Sequence, residues 1–67
     1  MKIILNNTEE TIDRDQLTVN ELLKVKNFSF KMLVVKINGQ LVKKSDYDQA
    51  MIGDGDDVMV LHLISGG

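Results

Sequence analysis

Met32-Leu33-Val34-Val35-Lys36-Ile37-Asn38-Gly39-Gln40-Leu41-Val42 is the stretch on which the fold turns. Residues 32–37 make the most continuous apolar run in the chain, the pattern of a central strand covered on both faces or nearly so. Asn38-Gly39 follows, the strongest short-range hairpin signal, because a type I′ turn needs positive φ at both central positions. Gln40-Leu41-Val42 then begins the return strand.

Upstream, residues 27–31 have no clear period and read as a loop from which Phe28 or Phe30 turns inward. Before them, Thr18-Val19-Asn20-Glu21 matches a capping box, in which the Thr18 hydroxyl accepts from the Glu21 amide and the Glu21 carboxylate reaches back to the Thr18 amide. A helix of two to three turns is predicted from there. Val19, Leu22, Leu23 and Lys26 follow at i, i+3, i+4 and i+7, and Leu17 is placed to staple onto Leu22. The opening residues 1–5 form an apolar, β-favouring run that stops at Asn6-Asn7-Thr8, read as a turn. A return strand over 9–13 completes a first hairpin.

Downstream, Ser45-Asp46-Tyr47-Asp48 suits the start of a short helical turn through Ala50, with Tyr47 and Met51 or Ile52 at the edge of the core. Gly53-Asp54-Gly55-Asp56 has the composition of a tight turn. Residues 57–64 form the last strand. The most economical arrangement is α+β, a mixed sheet packed on one helix so that the helix stripe and one sheet face bury each other. The same economy pairs the first and last strands in the middle of the sheet.

Bulk composition sets limits on function. Sixty-seven residues, 43% hydrophobic and 27% charged, make one small folded domain. A net charge of −2 with scattered Lys and Arg argues against nucleic acid as a partner. No run approaches the roughly 20 apolar residues of a membrane span, so no membrane is expected and a cytoplasmic location is the default. With no cysteine, the chain has no disulfide, thiolate metal site or cysteine nucleophile, and any sulfur chemistry must be brought to it.

Few residues suggest catalysis. Asp54, Asp56 and Asp57 lack the alternating oxygen ligands and distal glutamate of a calcium loop, and serve better as turn formers. His62, the only histidine, has no cysteine or patterned serine to activate and reads as a strand residue at a sheet face. Neither glycine-containing turn has the spacing of a phosphate loop, so ATP must bind elsewhere.

In the last strand Val58, Val60 and His62 alternate with Met59, Leu61 and Leu63, leaving both faces apolar near the end of the chain. One face is core. The other is either a docking surface, carried by Met59, Leu61 and Leu63, or is covered by Tyr47 and its loop.

Ser65-Gly66-Gly67 ends the sequence in two residues without a Cβ, a shape that can be threaded into a narrow channel. At roughly 3.3–3.6 Å per residue these three carry the end on the order of 10 Å beyond the last strand. A terminal carboxylate is a poor acyl donor until a partner activates it, and glycine ends also occur as simple fraying.

The opening strand with Asn6 before a turn, Thr18-Val19 with Glu21-Leu22-Leu23, Ile37-Asn38-Gly39-Gln40 with Val42, Asp54-Gly55-Asp56 and the final Gly66-Gly67 occur in this order over essentially the whole chain. In these residues it resembles the ThiS family of sulfur-carrier proteins of thiamine biosynthesis. The resemblance implies a ubiquitin-like β-grasp fold of four to five strands on one main helix, over residues 1–64, with a flexible tail over 65–67. It implies further that an E1-like enzyme of the ThiF type adenylates the Gly67 carboxylate with ATP. Cysteine-derived sulfur, supplied by a sulfur-transfer enzyme, then replaces AMP to give a thiocarboxylate, which is delivered to a ThiG-type thiazole synthase. On this reading Gly66 and Ser65 provide clearance, the chain binds no cofactor, and it is a substrate and carrier rather than an enzyme. Two alternatives stay open: a MoaD-like carrier of molybdopterin synthesis, which Ser65 before the glycines resembles, and a β-grasp interaction module with an inert tail.

Overall fold

The computed structural model describes residues 1–28 and 32–62. Strand β1 (Lys2–Leu5) runs into Asn6 and Asn7, whose φ angles of 51° and 67° make a two-residue turn. Strand β2 (Thr8–Thr11) therefore starts at once, with Thr8 opposite Leu5. The expected return over 9–13 is shifted accordingly. Both central positions are filled by asparagines that tolerate positive φ, so Thr8 joins the ladder instead of the turn. Ile12, just past the end of β2, is buried in the core.

Strand β3 (Gln16–Thr18) leads directly into helix α1 (Val19–Val25). The capping box is present in full, with both reciprocal bonds made between Thr18 and Glu21. After two turns Lys26 closes the helix and Asn27 takes a φ of 58°. Asn27 N–H donates to the Lys24 carbonyl at 3.1 Å and Phe28 N–H to the Leu23 carbonyl at 2.8 Å. This paired ending is a Schellman motif with asparagine in the place glycine usually takes. It turns Phe28 back onto the core, one of the two alternatives expected; Phe30 lies outside the described residues.

Strands β4 (Leu33–Ile37) and β5 (Gln40–Val42) form the hairpin around Asn38-Gly39, with φ of 50° and 84° at its two central residues. A 3₁₀ turn (Lys44–Asp46) follows, starting one residue before the expected Ser45 and without a side-chain cap. Strand β6 (Met51–Gly53) pairs antiparallel with β3, setting Leu17 against Ile52, both fully buried. This two-stranded sheet was not foreseen, because three residues are too few for an alternation to show. Leu17 serves the core as a strand residue here. Of the two expected candidates beside Tyr47, Ile52 is the one that packs inward and Met51 is exposed.

Strand β7 (Asp57–His62) is the last described element. Among the described residues, the main sheet has the order β2-β1-β7-β4-β5. β7 lies at its centre, parallel to β1 and antiparallel to β4. The pairing of first and last strands in mid-sheet is as expected; β4 is interior but one place from the middle. Ile3, Leu5, Val35, Val58 and Val60 meet Leu17, Val19, Leu22, Tyr47 and Ile52 in one hydrophobic core.

Candidate functional site

Ser65, Gly66 and Gly67, where chemistry is expected, lie outside the described residues, as does Leu63. The strand that leads to them is described. Val58 and Val60 point into the core, so alternation sets Met59 and Leu61 on the opposite face. Leu61 is 42% exposed and stands opposite Val34; Met59, half-buried, stands opposite Lys36. By the same alternation Ile4 of β1, 36% exposed, and Leu41 of β5, 63% exposed, belong to this outer face. The result is an apolar surface across four strands, with Lys36 within it.

The cover expected from Tyr47 is absent from this face. Tyr47 is buried among the core residues, and its carbonyl accepts from Asn20 N–H at 3.0 Å. Asn20 Nδ2 also donates to Asp48 Oδ1. The segment around Tyr47 is therefore tied to the start of α1 and, among the described residues, does not cover the outer face. Ile4 and Leu41 escaped the sequence analysis, since which of Ile3 and Ile4 faces outward depends on the pairing register.

Asp54 and Asp56 of the turn before β7 both accept hydrogen bonds that hold the strand in place. Asp54 Oδ1 accepts from Lys2 N–H at 2.7 Å, and Asp56 Oδ2 accepts from Gly53 N–H at 2.9 Å. Asn38 Nδ2 donates to Asp56 Oδ1 at 3.1 Å, while Asn38 Oδ1 accepts from Asp57 N–H at 2.9 Å. Gly55 has a φ of 86°, which the turn requires and a side chain would oppose. These bonds join the tip of the β4–β5 hairpin, the start of β1 and the entry to β7. Among the described residues, no three His, Asp or Glu side chains come together as a metal site.

His62 is exposed at the end of β7, opposite Leu33. Among the described residues two groups have shifted acidity, and both lie on the helix side. The Thr18 backbone N–H, followed by the Arg14 side chain, holds the Glu21 carboxyl below its ordinary range. Burial pushes the Tyr47 hydroxyl up. Among the described residues no helix is long and apolar enough to cross a membrane.

Comparison with known proteins extends beyond the described residues. The sequence model of the ThiS family matches residues 2–67. The crystal structure of a thiamine biosynthesis protein (ThiS) from Geobacter metallireducens superposes with a TM-score of 0.90 at 29% identity, covering all of both chains. A solution structure of a thiamine biosynthesis protein from the same organism gives 0.82 at 29% identity, covering all of this chain and 88% of the other. A thiazole synthase of Paramagnetospirillum magneticum is 31% identical over 67 residues. That match takes in the whole of this chain but only 20% of the synthase, so the chain spans a fifth of that relative's length.

Proposed function

Because the chain belongs to the ThiS family, whose solved relatives are thiamine biosynthesis proteins of the same β-grasp fold, we propose that it is the sulfur carrier for thiazole formation. The observation that carries this reading is the reach of the family match, which runs through Gly66 to Gly67. The Gly67 carboxylate attacks the α-phosphorus of ATP in the active site of a ThiF-type enzyme, and pyrophosphate leaves. The acyl adenylate is then a good acyl donor. Cysteine-derived sulfur, delivered at the sulfide level, then attacks the carbonyl carbon and AMP leaves with the electron pair of the broken C–O bond, giving a thiocarboxylate on Gly67. A chain without cysteine cannot supply that sulfur itself, which accords with a separate sulfur-transfer enzyme.

The body of the domain acts as a handle in this scheme. The outer face, with Met59 and Leu61 at its centre and Leu63 next in the alternation, is the docking surface for the adenylating enzyme. Gly66 and Ser65 give the clearance that lets Gly67 enter the active site. The relative named thiazole synthase supports a ThiG-type partner: a segment like this one within a larger synthase chain is held there at high effective concentration. The domain is a substrate and carrier, and its partners provide the ATP site and the catalysis.

Intact mass spectrometry tests the proposal. Incubation with a proven ThiF-type enzyme, ATP and a sulfur source is expected to yield a protein heavier by the exchange of one oxygen for sulfur. Deletion of Gly66 and Gly67 is expected to abolish that species and the support of thiamine synthesis. Absence of the heavier species from the full chain, or growth without thiamine supported by the deleted one, would sink the reading.

A further inference from the structure

Asn6 serves the final strand twice. Its backbone N–H donates to the Val58 carbonyl at 2.9 Å, continuing the parallel ladder in which Ile4 N–H donates to the Asp56 carbonyl at 2.9 Å. A parallel ladder alternates donor and acceptor along a strand, so the next bond should run from Val60 N–H to the carbonyl of residue 6. The backbone turns away at that point, with a φ of 51° at Asn6 as the β1–β2 turn begins. Val60 N–H donates instead to Asn6 Oδ1, at 2.7 Å. The side-chain amide stands in for the backbone carbonyl that the turn has removed.

The position of this bond gives it consequence. Pairing with β1 ends at Leu5 and Val58, whereas pairing with β4 continues to His62. The Asn6 bond therefore secures β7 on its β1 side after β1 itself has left the ladder. Val60 lies between Met59 and Leu61 on the one strand that leads to Gly67. Asparagine suits both demands, because it tolerates the left-handed region and its short side chain ends in an acceptor.

We propose that Asn6 is a positioning residue for the activation of Gly67: by closing the ladder onto Val60 it fixes the part of β7 that presents Met59 and Leu61 and directs the chain toward its end. This rests on the sulfur-carrier reading above. Asn6→Gly keeps the positive φ and removes the acceptor, while Asn6→Asp keeps both, so the pair separates the bond from the turn.

The test has two arms, on variants confirmed folded by circular dichroism. In the first, hydrogen exchange of the Val60 amide is expected to quicken roughly three- to tenfold in Asn6→Gly, as for loss of one hydrogen bond, and to return toward wild type in Asn6→Asp. In the second, adenylation by a ThiF-type enzyme well below the melting temperature is expected to show a KM for the carrier raised about threefold or more in Asn6→Gly at nearly unchanged kcat, again recovered in Asn6→Asp. A residue that only stabilised the fold would leave KM alone under those conditions. Unchanged Val60 exchange, unchanged KM, or an equal KM defect in Asn6→Asp would each overturn the proposal. Failure of the wild-type chain to be adenylated by a competent enzyme would refute the carrier reading and the role in activation with it, while the exchange arm would still decide whether Asn6 secures the strand.

Discussion

Thr18 and Glu21 show how much one local motif can determine. Glu21 N–H donates to Thr18 Oγ1 at 3.2 Å, and Thr18 N–H donates to Glu21 Oε1 at 2.9 Å, while Arg14 Nη2 donates to Glu21 Oε2 at 2.9 Å. Each of these bonds to the carboxylate favours its ionised form, the Thr18 backbone most. A folded-state pKa below the unfolded value of about 4.3 contributes stability above that pH, and the contribution is lost as pH falls through the folded value. The difference in urea midpoint between wild type and Glu21→Gln is therefore expected to be present at pH 7 and to close in acid; a difference that persists unchanged would contradict the assignment. Thr18→Ala is expected to cost about 1 kcal/mol, or roughly 4–8 °C of melting temperature in a domain of this size. The capping box was legible in the sequence because its partners lie three residues apart. Arg14 was not, since nothing local shows a loop residue folding back onto the helix start.

At the scale of elements, legibility follows the same rule. The helix and the Asn38-Gly39 hairpin announced themselves through periodicity and turn chemistry, both short-range properties. Strands β3 and β6 did not, because each has three residues and meaning only in the presence of the other. Asp56 belongs to this class: read alone it is a turn former, yet it accepts from Gly53 N–H within its own turn and from Asn38 Nδ2, so that one carboxylate ties that turn to the tip of the β4–β5 hairpin. Asp56→Ala is expected to cost about 1–2 kcal/mol by loss of these charge-assisted bonds. Addition of calcium or magnesium is expected to leave the wild-type melting temperature unchanged. A variant as stable as wild type, or a wild-type chain stabilised by either ion, would reject the view of this turn as a hydrogen-bonded tie.

For the whole molecule, the decisive fact is that one helix can cover only one face of a five-stranded sheet. The alternation in β7 alone points to a second apolar face, but its extent depends on register across β1, β4 and β5, which join Ile4, Val34 and Leu41 to Met59 and Leu61. No short-range pattern carries that information. Such a face lowers the solubility of a free domain, and exposed apolar patches of this kind mark docking surfaces. Leu61→Asp places a charge at the centre of the patch and leaves the core residues in place, and is expected to cost on the order of 1 kcal/mol as a strand former is replaced on a central strand, so that the variant is compared folded. The same substitution is expected to weaken binding to the adenylating enzyme by roughly tenfold or more, as for a central interface residue. Val25 offers the matched control, being 52% exposed on the helix, and Val25→Lys is expected to leave binding unchanged. Calorimetric titration of both variants separates docking from general surface effects: equal losses, or none, would show that the outer face is not where the domain docks.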